Sequence, residues 1–247
     1  MSATVYLVGI GPGQAELVTP EALAAIQKVS VVIGQPECLA LVKALTRGKE
    51  IIAKRQSPLE RSRLAVEKAQ AGQDVAIISS GDPGVYAIAT TFLDYLRENN
   101  ITLDVKVIPG VGLAAYAAAR LGAPLGNDSA SITLTDQGTT WPVIKKRLEA
   151  AASADFVIVI YNPFGKLGPS RLQEALQIIA ESRTAQTPVG VLSKAATPEE
   201  KAQLTTLGEL RFMPLPVDTI IIIGNSQSYV RSGKMVTPRL YRQGIGY

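Results

Sequence analysis

Short runs of valine and isoleucine, each closed by a turn bearing glycine, proline or asparagine, recur along the whole chain. In the first half they fall at residues 5–10, 29–33, 50–52, 74–79 and 104–108, and in the second at 131–134, 156–161, 189–193 and 219–223. A run that is apolar at successive positions has no polar face to give to water, so it belongs in a sheet covered on both sides. The intervening stretches carry helix signals. Thr19, Pro20 and Glu21 read as an N-cap, a first helical residue and an acid at the positive end of the dipole. A second helix is expected over residues 58–71, stopped by Gly72. The alanine-rich stretch 113–120 reads as a helix that packs through small side chains. Further helices are expected over 141–152 and 170–182, and Thr197-Pro198-Glu199 reads as the cap of a short one. Gly122, Pro124 and Gly126 break the pattern, so an α/β fold of two lobes, 1–120 and 121–247, is expected, with a ligand at their junction.

Composition removes whole classes of chemistry. The 247 residues include no histidine, which excludes Ser-His-Asp triads, Cys–His nucleophiles and histidine-ligated zinc. The one cysteine, Cys38, permits neither an internal disulfide nor a cysteine metal cluster. No metal is therefore expected, and a reducing cytoplasm is the expected compartment. The apolar run at 219–224 suits a buried strand, far short of the ~20 residues of a membrane span. No basic segment precedes the first strand, so neither a leader nor a membrane association is expected. A net charge of +4 admits an anionic small molecule but lacks the dense basic stripe that nucleic acid requires.

Five strand-end loops carry the residues a site needs. VGIGPG (8–13) resembles a dinucleotide loop, and Glu37 stands about where a ribose-binding acid would fall. Its spacing is G-x-G-P-G, however; Pro12 removes an N–H donor, and the helix begins only at Thr19. SSGDPGVY (79–86) sets Asp82 between two glycines, where it can accept from a ribose, an amino group or a backbone N–H. IPGVG (108–112) offers Gly110 and Gly112 for close backbone approach. IYNPFGK (160–166) presents Tyr161 and Asn162, and IIIIGNSQSY (220–229) ends a buried strand at Gly224-Asn225. Taken singly, each is equally what an ordinary turn looks like; the information lies in their order.

That order resembles the tetrapyrrole methyltransferases, the class III S-adenosylmethionine (SAM)-dependent methyltransferases, over about residues 5–230. Within that family, SSGDPGVYAIA (79–89), LGAPLGNDSASITLTD (121–136), TTWPVIKKRLEAAASADFVIVIYNP (139–163) and LTTLGEL (204–210) are similar to the enzymes that methylate C17 of precorrin-3B or cobalt-factor III in cobalamin biosynthesis. The resemblance implies two αβα lobes with SAM bent in the cleft between them, in a homodimer. Carried over by motif, the cofactor contacts would be Pro12; Ser80, Gly81, Asp82 and Val85; Gly112 and Leu113; and, from the second lobe, Asn162, Ala195 and Thr219. Two departures stand near the expected substrate entrance. Asn127 replaces a histidine frequent in relatives, and TDQGTT (135–140) differs from the usual segment.

The implied reaction is displacement at the sulfonium methyl by a ring carbon of the corrinoid precursor, which needs alignment more than acid–base help. The associated ring contraction calls for a proton donor or acceptor, for which Asp82, Tyr86, Asp128, Thr135 and Asp136 are the candidates. Substrate carboxylates would pair with Lys166 and Arg171 beside the YNP loop, in preference to Lys54, Arg55 or the helical Lys145, Lys146 and Arg147, which also read as solvated side chains. The alternatives left open are a C11 or C20 precorrin methyltransferase, diphthine synthase, a non-catalytic SAM or tetrapyrrole binder, and a Rossmann dehydrogenase.

Overall fold

The computed structural model describes residues 3–53, 57–136, 138–164 and 168–239; Lys54, Arg55 and Lys166 lie outside them. The chain divides into two compact units, Met1–Leu113 and Ala114–Tyr247. The division comes at the start of the alanine-rich helix, seven residues ahead of the expected place after residue 120. Among the described residues no helix is long and apolar enough to cross a membrane.

The first unit alternates strand and helix: β1 (Thr4–Gly9), α1 (Pro20–Lys28), β2 (Val31–Gly34), α2 (Pro36–Leu41), β3 (Glu50–Ala53), α3 (Pro58–Gln70), β4 (Val75–Ser79), α4 (Ile88–Glu98) and β5 (Asp104–Ile108). The strands form one parallel sheet in the order β3-β2-β4-β1-β5. Side chains alternate across it. Val8, Val32 and Ile78 pack under α1 and α2, while Val5, Leu7, Val31 and Ile77 pack under α3 and α4. Burial on both faces is why the central strands β1, β2 and β4 read as continuous apolar runs, whereas the edge strands β3 and β5 are largely exposed. The Thr19 hydroxyl accepts the N–H of Ala22 at 3.1 Å, and Ser57 does the same for Glu60 at 3.2 Å, so both expected helix starts are capped. From β1 the chain crosses to β2 on one side, and from β4 to β5 on the other. That reversal between neighbours makes the carboxyl ends of β1 and β4 the natural crevice of the sheet.

The second unit holds nearly all of α5 (Leu113–Leu121), then β6 (Gly122–Ala123), β7 (Ser129–Thr133), α6 (Trp141–Ser153), β8 (Val157–Tyr161), α7 (Pro169–Ala180), β9 (Pro188–Ser193), β10 (Lys201–Thr206), α8 (Leu207–Leu210), β11 (Thr219–Ile223), β12 (Tyr229–Arg231) and β13 (Lys234–Val236). Its main sheet runs β10-β9-β11-β8-β7, and only β7 and β8 are parallel. Two expectations fail here for one reason. The short helix after Thr197 is absent, because Thr197 closes a turn and the chain enters β10 four residues later. With no helix to carry it back across the sheet, β10 returns beside β9 as a hairpin, and the parallel alternation stops. One face of the sheet packs on α6 and α7. The other meets α5, where Gly190 makes room for Leu121: a Cβ at residue 190 would lie 2.5 Å from a Leu121 methyl.

Candidate functional site

The two central loops of the first sheet are zipped together. The Gly11 N–H donates to the Gly81 carbonyl at 3.2 Å, and the Gly81 N–H to the Gly11 carbonyl at 2.7 Å, forming an antiparallel bridge. Asp82 then clasps the third loop. One carboxylate oxygen accepts the N–H of Gly84 at 2.8 Å and the other that of Gly110 at 3.2 Å. Such closeness needs glycine. A Cβ on Gly110 would stand 2.2 Å from the Gly81 carbonyl oxygen, and one on Gly9 would stand 2.7 Å from that same oxygen. Gly81 itself has φ +62°, which L side chains resist. At Gly112, by contrast, a Cβ would meet nothing within 4 Å, so the backbone there lies open.

Pro12, Ser80, Gly81, Asp82, Val85, Gly112 and Leu113 thus gather on these three loops. Ser80, Val85 and Tyr86 are exposed, the last with φ +51°. Asp82 is occupied by two backbone donors, which fits a residue that positions loops better than one that moves a proton. Only a 3-10 turn at Ala15–Leu17 directly follows VGIGPG and the α-helix starts at Pro20, so the loop lacks the abutting α-helix of a dinucleotide fingerprint.

At the second sheet the residues are held by side chains. The carboxyl ends of β7, β8 and β9 share one edge with the first residues of β10 and β11, because Thr219 pairs with Ser193 and Ile221 with Ile160. Asn162, Ala195, Thr219, Thr135 and Asp136 therefore share that edge, although Thr219 begins its strand instead of ending it. Asn162 has φ +48° and donates its amide to the Thr133 hydroxyl at 3.2 Å. Ala195 lies between Lys194 and Ala196, whose φ angles are +50° and +60°. Glu200 holds that loop, accepting the N–H of Ala196 and the Tyr116 hydroxyl, both at 2.6 Å, and pairing with Arg120 at 3.1 Å. Burial pushes the Tyr116 hydroxyl above its ordinary pKa, and the bond to Glu200 adds to the rise. Arg171 stacks on Trp141 at 4.2 Å and lies 3.6 Å from Asp136, so both residues are already engaged with each other.

Two expected features fall at the opposite edge. Asp128 precedes β7, and its carbonyl accepts from Val157 at the start of β8. Gly224-Asn225 follows β11, which runs antiparallel to β8 and so ends at that far edge, where the Gly224 N–H donates to the Pro188 carbonyl. Five-residue strands separate these groups from Asn162 and Thr135 by ~17 Å, so neither the fifth loop nor Asp128 joins the candidate site. Asn127 is likewise turned to structure, with its amide donating to the Pro238 carbonyl at 3.2 Å. Lys145 pairs with Glu174, and Lys146 and Arg147 are exposed. Thr133 and Glu200 were not foreseen. Thr133 lies inside a strand pattern, and Glu200 in a segment read as helix. Among the described residues no cluster of acids and Cys38 could hold a metal ion.

Known proteins share this architecture and sequence. The model of the Tetrapyrrole (Corrin/Porphyrin) Methylases matches residues 4–211. A probable cobalt-factor III C(17)-methyltransferase of Salmonella typhimurium is 43% identical over 95% of this chain and 98% of its own length. A precorrin-3B C(17)-methyltransferase of a Sinorhizobium species is 33% identical over 98% of each chain. The crystal structure of the methyltransferase CobJ superposes with a TM-score of 0.88 at 30% identity, covering 96% of this chain and 100% of that one. With its glycine-locked loops and this match over most of its length, the chain belongs to the tetrapyrrole methylase family.

Proposed function

We propose that the chain is a SAM-dependent methyltransferase acting at C17 of precorrin-3B or cobalt-factor III in cobalamin biosynthesis. The observation that carries the reading is the clasp on the first sheet. Three loops tied through Gly11, Gly81, Asp82 and Gly110 leave the backbone at Gly112 open and Ser80 and Val85 exposed. Small residues and free backbone groups fit a nucleoside-bearing sulfonium better than a metal or a flavin, because they admit close approach without a competing charge. The names of the relatives that match end to end supply the substrate and ring position.

Bound SAM supplies an electrophilic methyl group to a ring carbon that the conjugated macrocycle makes nucleophilic. The chain's part is alignment, worth up to ~7–11 kcal/mol in favourable cases. Pro12, Ser80, Gly81, Asp82, Val85, Gly112 and Leu113 hold the cofactor from the first unit, and Asn162, Ala195 and Thr219 from the second. Asp82 acts by fixing the loops. For the ring contraction, Tyr86, Thr135 and Asp136 are the candidates to handle a proton. Lys166 and Arg171 take substrate carboxylates, Arg171 by exchanging Asp136 for a stronger partner. The enzyme is read as a cytoplasmic homodimer, which sedimentation at graded concentration checks.

Incubation with SAM and either pigment, followed by mass spectrometry, tests the whole reading. Gain of one methyl at C17, with S-adenosylhomocysteine formed in equal amount, is the expected result. Methylation at C11 or C20 would move the chain to another branch of the family, and tight binding without turnover would make it a binder only.

A further inference from the structure

We propose that Arg61 receives a carboxylate at the carboxyl edge of the first sheet, brought either by the tetrapyrrole's acidic side chains or by the amino-acid end of the cofactor. The inference rests on the methyltransferase reading, since both ligands come from it.

Helix α3 packs on one face of the sheet and α2 on the other. A side chain of α3 can therefore reach α2 only over the strand ends. Arg61, in the first turn of α3, does so: its charge acts on the thiol of Cys38 in α2. The backbone of Ser80, the first residue beyond β4, acts on the same thiol. The guanidinium thus lies across the carboxyl edge, beside the loop that opens with Ser80.

Among the described residues its surroundings lack a counter-ion. The Arg61 Nε is buried and has no hydrogen-bond partner among the described residues. No carboxylate among them acts on its charge. Glu37, which reaches Cys38, does not figure among the groups acting on Arg61. Burial holds the guanidinium below its ordinary pKa, with only the thiol opposing. Arg183 of the second unit also has a buried Nε without a hydrogen-bond partner, yet the rest of its guanidinium is engaged, as Arg61's is not among the described residues. The Arg183 guanidinium donates to the carbonyls of Ala152 and Phe156 at 2.6 and 3.1 Å and pairs with Asp155 at 3.1 Å. An uncompensated, partly buried charge is costly, and structures that keep one give it a partner. The planar fork of arginine matches a carboxylate through two parallel bonds. The positive end of α3 reinforces the same preference for an anion.

The experiment compares wild type with R61M and R61K. Calorimetry gives Kd for S-adenosylhomocysteine and for 5′-methylthioadenosine, which lacks the carboxylate, and initial rates give KM for cobalt-factor III. If the tetrapyrrole brings the carboxylate, R61M raises its KM at least tenfold and leaves both nucleoside affinities alone. If the cofactor brings it, R61M weakens S-adenosylhomocysteine at least tenfold and leaves 5′-methylthioadenosine unchanged. In both cases R61K recovers part of the loss, and the Tm of R61M does not fall, because no native partner is removed. Should R61M fail to fold, R61K alone, losing the bidentate geometry, must still show the selective defect. All constants within twofold of wild type, or a lowered Tm with every ligand weakened alike, overturn the proposal. A wild-type protein that neither binds S-adenosylhomocysteine nor methylates pigment overturns the broader reading and this one with it.

Discussion

At the carboxyl edge of the first sheet, three loops are locked backbone to backbone; at the carboxyl ends of β7, β8 and β9 in the second, side chains do the holding. The first edge depends on Gly9 and Gly110, where the Gly81 carbonyl leaves no space for a methyl group, on Gly81, whose φ is +62°, and on one carboxylate, Asp82. The second depends on Asn162 with Thr133, Arg171 between Trp141 and Asp136, and Glu200 among Tyr116, Arg120 and the Ala196 amide. A backbone lock is set by shape and fails abruptly, because overlapping atoms have nowhere to go. A side-chain network fails by degrees, since each contact contributes little and the rest can relax. A shape-locked edge suits a ligand common to a family, and an edge built of side chains suits features that differ from member to member.

The sharpest way to break this contrast is a single methyl group at Gly110. Its cost is one of space, since the backbone there has no positive φ and the added Cβ would meet the Gly81 carbonyl oxygen at 2.2 Å. G110A is expected to lose about 3 kcal/mol in urea unfolding and to abolish S-adenosylhomocysteine uptake in calorimetry. G112A is the control two residues away. Its Cβ meets nothing within 4 Å, so stability should hold within ~0.5 kcal/mol. Affinity should still fall about tenfold, because the methyl enters space left for a ligand, equivalent to ~1.4 kcal/mol. Equal stability losses for the two variants would erase the distinction between lock and cradle. D82N ranks next. An amide keeps one acceptor oxygen where the carboxylate has two, so either Gly84 or Gly110 loses its partner. A loss of about 1.5 kcal/mol in unfolding free energy is expected, with the Kd for S-adenosylhomocysteine rising in step.

The same contrast governs how far the sequence could be read. Backbone-built features left marks: the glycines of VGIGPG, SSGDPG and IPGVG stand where the lock needs them, and Thr19 and Ser57 stand at the caps. All nine expected strands of the two main sheets are present; the central ones write burial on both faces as unbroken apolar runs, while the edge strands β3, β5 and β7 are largely exposed and keep only a few valines and isoleucines. What could not be read was direction. The 219–223 run is equally apolar whether parallel or antiparallel, so Thr219 reaches the expected edge as the first residue of its strand and Gly224 falls at the opposite one. Helix α4 went unread because its start, Ala87, carries no capping side chain, and α2 because Gln35 carries none either. Side-chain partnerships between distant segments, such as Tyr116 with Glu200 or Trp141 with Glu174, have no local signature at all. Arg61 was hidden for the same reason: within a helix rich in charges it reads as one more solvated residue.

Substitutions at the second edge should register more faintly. E200Q removes the ion pair to Arg120 but keeps one acceptor oxygen for Ala196 and Tyr116, which share a single carboxylate oxygen in the wild type, so about 1 kcal/mol is expected. Tyr116 gives that network a pH signature. Its pKa in the folded protein stands above that of the unfolded chain, so the neutral hydroxyl is the form the fold favours. This stabilisation is complete below pH ~10, the ordinary tyrosine value, and is lost as pH rises through the folded value. Wild type should therefore lose stability in that alkaline window, and Y116F should not. A Y116F curve that follows wild type would place the titration elsewhere.

D136N should have the smallest effect on stability and the largest informational value. Asp136 and Arg171 are 3.6 Å apart with side chains 33% and 16% exposed, an ion pair that solvent still reaches. Its removal should cost no more than ~0.5 kcal/mol, because Arg171 keeps its stacking on Trp141 at 4.2 Å. If Asp136 handles the proton of ring contraction, the variant should methylate pigment at the wild-type rate yet accumulate an uncontracted product visible by mass spectrometry. If it serves only to hold Arg171, both steps should continue and KM for the pigment should fall, since the guanidinium no longer has to leave one carboxylate to accept another.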